Sequence, residues 1–133
     1  MKPKQSILSP LEWEIMDVIW NENKQISVRE VLKFRYPDGE KAYTTVQTVM
    51  NNLEKKGFLT TKKVGLVNFY QPVRKRTNAV QNETLRFVKQ VYNGSFMSLA
   101  NHLINSESLS QDEIESLKKL INQKENEKGI KND

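Results

Sequence analysis

No cysteine occurs among the 133 residues, which excludes disulfides, thiolate metal sites and cysteine nucleophiles together. The single histidine, His102, cannot build a tetrahedral zinc site without thiolate partners. Glu107, Asp112, Glu113 and Glu115 read as the acidic start of a helix rather than as metal ligands. Glycine is scarce, five in all, and no Gly-rich loop of the kind that cradles phosphates is visible. With no clustered carboxylate pair either, nothing supports an enzyme, and neither a cofactor nor a metal is expected. Apolar runs approaching the roughly 18 residues of a membrane span are missing, as is a cleavable signal. A cytoplasmic protein without membrane contact is therefore expected.

What is present is positive charge, unevenly spread. The net charge is +5, with 14 Lys/Arg against 8 Asp/Glu over residues 1–80 and 7 against 8 over residues 81–133. Seven cations and no acid lie between Lys55 and Arg76, namely Lys55, Lys56, Lys62, Lys63, Arg74, Lys75 and Arg76. A basic field of this kind suits a polyanion, although a merely solvated face has the same composition.

Ser9-Pro10-Leu11-Glu12 combines a capping serine, a proline at the first helical position and a glutamate three residues on, and so starts a helix. Leu11, Ile15, Val18 and Ile19 form its buried stripe, and it stops near Trp20. Trp13 and Trp20 flank that stripe, where packing at the core edge is a better reading than a base-stacking platform. Ser27-Val28-Arg29-Glu30 repeats the box and opens a second helix that ends before Pro37-Asp38-Gly39. Thr44-Thr45-Val46-Gln47 opens a third with a Thr-x-x-Gln box, and Gly57 is placed to end it in the left-handed conformation. Phe58 to Lys63 and Asn68 to Val73, separated by a short segment containing Gly65, read as a β-hairpin. Three short helices and a hairpin follow the order of a winged helix-turn-helix domain.

The remainder is helical. Val80, Thr84, Phe87, Val88 and Val91 keep helical spacing, Asn93-Gly94 interrupts, and Phe96, Leu99, Ala100, Leu103 and Ile104 form a full stripe. Ser110-Gln111-Asp112-Glu113 caps a last helix carrying Ile114, Leu117, Leu120 and Ile121, and the polar end from Lys124 to Asp133 is expected to fray. The fold class expected is mainly α with a small β-hairpin wing. The expected division is a winged helix-turn-helix DNA-binding domain over residues 1–77 and a helical dimerisation region over residues 78–133, for reasons of charge and apolar patterning.

On the third helix, Val46, Val49, Met50 and Leu53 form the buried face, and Thr44, Thr48, Asn51 and Lys55 point the opposite way, with Thr45, Gln47 and Asn52 on the flanks. A solvated helix usually carries Glu, Lys and Arg at salt-bridging spacing, so a face of Thr, Gln and Asn asks for another role. Asn and Gln can grip adenine edges in a major groove, and Thr can pack its methyl on thymine. Lys62 and Lys63 before the hairpin tip, and Arg74, Lys75 and Arg76 after its second strand, would position the protein on phosphates. The tip itself, Val64-Gly65-Leu66, carries little charge. A winged helix that binds protein instead of DNA is the alternative, but it needs neither that polar face nor the acid-free basic stretch.

Three amphipathic stripes within about 50 residues are too little material to bury themselves, and a second copy of the chain is the simplest cover. The candidate dimerisation residues are Phe87, Val91, Phe96, Leu99, Leu103, Ile104, Ile114, Leu117 and Ile121.

Several of these segments carry a resemblance. Leu8 to Met16 with Val18-Ile19-Trp20, Tyr43 to Thr48, Leu53 to Leu59, Phe69-Tyr70 with Pro72, Asn93 to Phe96, and Leu109 to Ile114 make the chain resemble the penicillinase repressor, methicillin-resistance repressor and copper-transport repressor family of bacterial winged-helix regulators. The resemblance covers nearly the whole chain. It implies a homodimeric repressor that binds double-stranded DNA at a palindromic operator and controls resistance or homeostasis genes. It also implies a sensor or protease partner that relieves repression, in one branch by cleavage after an asparagine that precedes phenylalanine. The matching bond here is Asn101-His102, with histidine in place of that phenylalanine. The copper branch carries a cysteine pair that this chain lacks, which excludes copper sensing by that route. Many members carry arginine where this chain has Asn52, a departure that bears on operator sequence.

Overall fold

The structure is a computed structural model that describes residues 7–132. Six helices and one hairpin follow in the order α1 (Pro10–Glu22), α2 (Val28–Arg35), α3 (Tyr43–Lys55), β1 (Leu59–Val64), β2 (Val67–Pro72), α4 (Arg76–Val91), α5 (Phe96–Asn105) and α6 (Gln111–Asn132). The chain divides into two compact units, Met1–Glu83 and Thr84–Asp133.

The first two Ser-x-x-Glu boxes close as expected. The Glu12 backbone N–H donates to Ser9 Oγ at 3.1 Å and Ser9 N–H donates back to Glu12 Oε1 at 2.8 Å. Ser27 and Glu30 repeat the exchange at 3.2 and 3.0 Å. These bonds satisfy amides that a helix start leaves without partners. α1 runs two residues past Trp20, to Glu22, and ends on Asn23 in the left-handed region (φ 54). Gly57 (φ 85) takes the left-handed position after α3, as its place in the sequence implies.

The start of α3 differs from the expected box. Ala42 is the N-cap, extended at φ −76 and ψ 152, with no side-chain hydrogen bond, and Thr44 already lies in the first helical turn. A threonine can cap only from outside the helix, where its backbone is extended. Here the cap, and with it the helix start, falls two residues earlier, so the helix begins at Tyr43, whose ring has the Arg29 guanidinium 5.6 Å from its centre.

In the first unit the core is built from one face of each helix and the base of the hairpin. Ile15, Met16, Ile19, Ile26, Val31, Val46, Met50 and Leu53 are fully buried, with Leu59 and Tyr70 almost so. Trp13 and Trp20 pack against this core with ring centres 5.8 Å apart, and the Trp20 indole N–H donates to the Arg74 carbonyl at 2.9 Å. The core-edge reading of the two tryptophans therefore holds. Glu14 joins α1 to the end of α2 by accepting from the Tyr36 hydroxyl at 2.5 Å and pairing with Arg35 at 3.2 Å. Burial and that carboxylate push the Tyr36 hydroxyl far above the usual phenol range, so it stays a donor.

β1 and β2 pair antiparallel from Leu59↔Pro72 to Val64↔Val67. That register leaves a two-residue turn, Gly65-Leu66, with positive φ (63) at the glycine, as a type II′ hairpin turn needs. One contact is invisible to sequence periodicity. Ile26, between α1 and α2, exchanges both backbone hydrogen bonds with Tyr70, at 2.9 and 2.7 Å. The hairpin is thereby fastened to the helices as well as to itself.

In the second unit, α5 starts at a Ser95 cap after Asn93 (φ 52) and Gly94 (φ 85) turn the chain. The Ser110–Glu113 box opens α6, with reciprocal bonds of 2.9 and 3.1 Å. The expected fraying from Lys124 is not seen, because α6 continues to Asn132; Asp133 lies outside the described residues. The segment is polar, but its lysines and glutamates are good helix formers, and Lys124 pairs with Glu127 one turn on at 3.7 Å.

Candidate nucleic-acid interface

The outward face of α3 is assembled as its spacing predicts. Thr44, Thr45, Thr48, Asn51, Asn52 and Lys55 are exposed and Gln47 is half-buried, while Val46, Met50 and Leu53 turn into the core. The uncapped start of α3 leaves its first-turn amides without a side-chain acceptor. Such a helix start favours a phosphate, because the amides point outward and the helix dipole adds positive potential.

Asn51 is not a free amide. Its Oδ1 accepts a hydrogen bond of 2.8 Å from the hydroxyl of Tyr70, which is only 1% exposed. The paired use of Asn51 on an adenine edge, which needs its oxygen as well as its nitrogen, is thus not how the side chain is set.

The hairpin carries Lys62 and Lys63 exposed on β1, opposite Phe69 and Asn68. Its tip is apolar, with Leu66 95% exposed. Arg74, two residues past β2, is half-buried, its guanidinium 4.6 Å from the centre of the ring of Phe58, which immediately precedes β1, a cation–π contact between the two ends of the hairpin.

The acid-free stretch of sequence is not acid-free in space. Lys56 Nζ lies 2.7 Å from Glu12 Oε1 and 2.8 Å from the Ile7 carbonyl, and Arg76 Nε lies 2.8 Å from Asp17 Oδ1. Two of the seven cations therefore close onto α1. Lys55, Lys62, Lys63 and Lys75 remain exposed. Nothing in the residue order could distinguish the two groups, because the acids come from a helix more than 40 residues earlier.

The expected dimerisation residues also keep their positions. Phe87, Val91, Phe96, Leu103, Ile104, Leu117 and Ile121 are exposed, and Leu99 and Ile114 are half-buried. Asn101 and His102 are exposed inside α5, with the His102 ring 6.3 Å from Tyr92. Proteolysis of their bond would require α5 to open locally, since proteases act on unfolded segments.

The comparisons with known proteins agree with this geometry. The penicillinase repressor family model matches residues 8–123. The methicillin resistance regulatory protein MecI of Staphylococcus aureus (strain N315) is 32% identical over 124 residues, covering 93% of this chain and 100% of that protein. The penicillinase repressor of Bacillus licheniformis is 30% identical over 121 residues, covering 91% of this chain and 94% of that one. Among solved structures, the solution structure of the DNA-binding domain of the repressor BlaI is similar with a TM-score of 0.50 and 35% identity, over 59% of this chain and 93% of that one. With a family model that spans residues 8–123 and a relative 32% identical over 93% of its length, the chain belongs to the penicillinase repressor family.

Proposed function

We propose that this protein is a sequence-specific transcriptional repressor that binds a palindromic operator in double-stranded DNA as a homodimer, and that it works in the cytoplasm. The observation that carries the reading is the exposed, almost uncharged face of α3, flanked by the exposed Lys55 at the end of α3 and by Lys62 and Lys63 on the hairpin. The names of the relatives support resistance genes as the class it controls. α3 reads bases in the major groove, while Lys62 and Lys63 contact phosphates and fix the register. The apolar rows of α5 and α6 are what a second copy covers. Two-fold symmetry then presents two recognition helices to two half-sites, one or more DNA turns apart. Relief of repression falls to a sensor or protease partner, with the exposed Asn101-His102 bond as the candidate point of attack.

The phosphate contacts are tested by measuring affinity for promoter DNA across a salt series. The logarithm of the wild-type binding constant is expected to fall linearly with the logarithm of salt concentration. The double variant Lys62→Ala/Lys63→Ala should lower that slope by about one for each lysine and weaken binding to all sequences alike. An unchanged slope in the double variant would remove the hairpin from the DNA contact.

A further inference from the structure

Tyr70 sits where three parts of the first unit meet. Its backbone N–H and carbonyl are held by Ile26 at 2.7 and 2.9 Å, its ring is buried, and its hydroxyl donates to Asn51 Oδ1 on the outward face of α3 at 2.8 Å. Burial, with Glu54 and Tyr43 nearby, pushes the Tyr70 hydroxyl up from its usual value, so it stays protonated and remains a donor. The ring cannot swing away without disrupting the core, and a buried hydroxyl is costly to leave without a partner.

An asparagine amide has one accepting end and one donating end. With Oδ1 drawn inward to Tyr70, the NH2 group is the end left facing out. A free amide would recognise adenine, accepting from N6 and donating to N7. An amide that offers only N–H donors matches an edge made only of acceptors, which in the major groove is guanine, with O6 and N7.

We propose that the Tyr70 hydroxyl is a positioning residue that fixes the Asn51 amide as an outward donor, so that the base Asn51 meets is selected as guanine in preference to adenine. The proposal rests on the reading of α3 as the base-contacting helix. It also gives the hairpin a share in sequence choice that phosphate contacts alone would not, because the orienting hydroxyl comes from β2.

The test is selection from a randomised double-stranded DNA library by the full-length protein, read by sequencing, with Tyr70→Phe, Asn51→Asp and Asn51→Ala in parallel. Wild type should enrich guanine over adenine by about fivefold to tenfold at one symmetric pair of positions, the lower end of what a good side-chain contact to a base gives. Tyr70→Phe keeps the ring and frees the amide to turn over, so guanine and adenine should come within about twofold at that pair alone. Asn51→Asp keeps an acceptor for Tyr70 but replaces the outward donors by an oxygen, so the preference should move to cytosine, whose N4 donates. Asn51 is exposed, so that variant is informative even if Tyr70→Phe folds poorly. If Asn51→Ala flattens a position while Tyr70→Phe and Asn51→Asp both leave guanine preferred there, base reading stands and the positioning role is overturned. If Asn51→Ala flattens no position, base reading by Asn51 and the proposal fail together.

Discussion

Ile104→Glu should convert the protein to a monomer and reduce its affinity for a dyad operator by about 10²- to 10⁴-fold, the gain that linking two binding modules supplies. α5 has an apolar stripe but not one buried residue, and Ile104 is 55% exposed. On α6, Leu120 and Ile121 are 60% and 59% exposed. Because Ile104 already meets water in the single chain, a charge there costs the monomer little, whereas burying it against a second copy would strand an unpaired carboxylate. Sedimentation should therefore show half the wild-type mass with the helical content preserved, and binding to random DNA should fall far less than binding to the dyad. A dimer of unchanged stability would mean that this face is covered by something other than a second copy.

The second large effect concerns Lys56, which lies in the acid-free basic stretch of the sequence but closes onto Glu12 of α1 in the structure. Glu12 is 6% exposed, and its Oε1 accepts from both the Ser9 amide and Lys56 Nζ. Lys56→Ala leaves that carboxylate buried without its counter-charge. The expected loss is about 3 kcal/mol of folding stability, at the low end for breaking a buried pair because the lysine end is one-third exposed. Against a total of roughly 5–15 kcal/mol for a small domain, that is a large fraction. Denaturant unfolding measures it, and the double variant Glu12→Gln/Lys56→Ala should recover much of the loss, since no bare charge then remains. A Lys56→Ala protein of wild-type stability with a shallower salt dependence of DNA binding would instead make Lys56 a DNA contact.

The features that were legible in the sequence are those set by near neighbours in the chain. Ser9 with Glu12, Ser27 with Glu30 and Ser110 with Glu113 each bond across three residues, and each helix start was readable from that spacing. The outward face of α3 followed from helical periodicity in the same way. The sequence could not show which partners meet through the fold. Glu12 and Lys56 are 44 residues apart and Asn51 and Tyr70 are 19 apart, and no local rule pairs them. The Thr-x-x-Gln pattern at Thr44 was a false signal, because a capping residue is defined by an extended backbone and that position falls to Ala42. The polar end of α6 misled for a related reason. Its composition marks exposure to water, and exposure does not forbid a helix.

Binding of the purified protein to its own upstream promoter DNA, measured beside random DNA of equal length and with Asn51→Ala in parallel, tests the central claim most directly. Wild type is expected to prefer a dyad in the promoter by about 10³-fold or more. Asn51→Ala is expected to lose about 1–3 kcal/mol on that dyad but little on random DNA. Equal affinity of both proteins for promoter and random DNA would contradict sequence reading by α3.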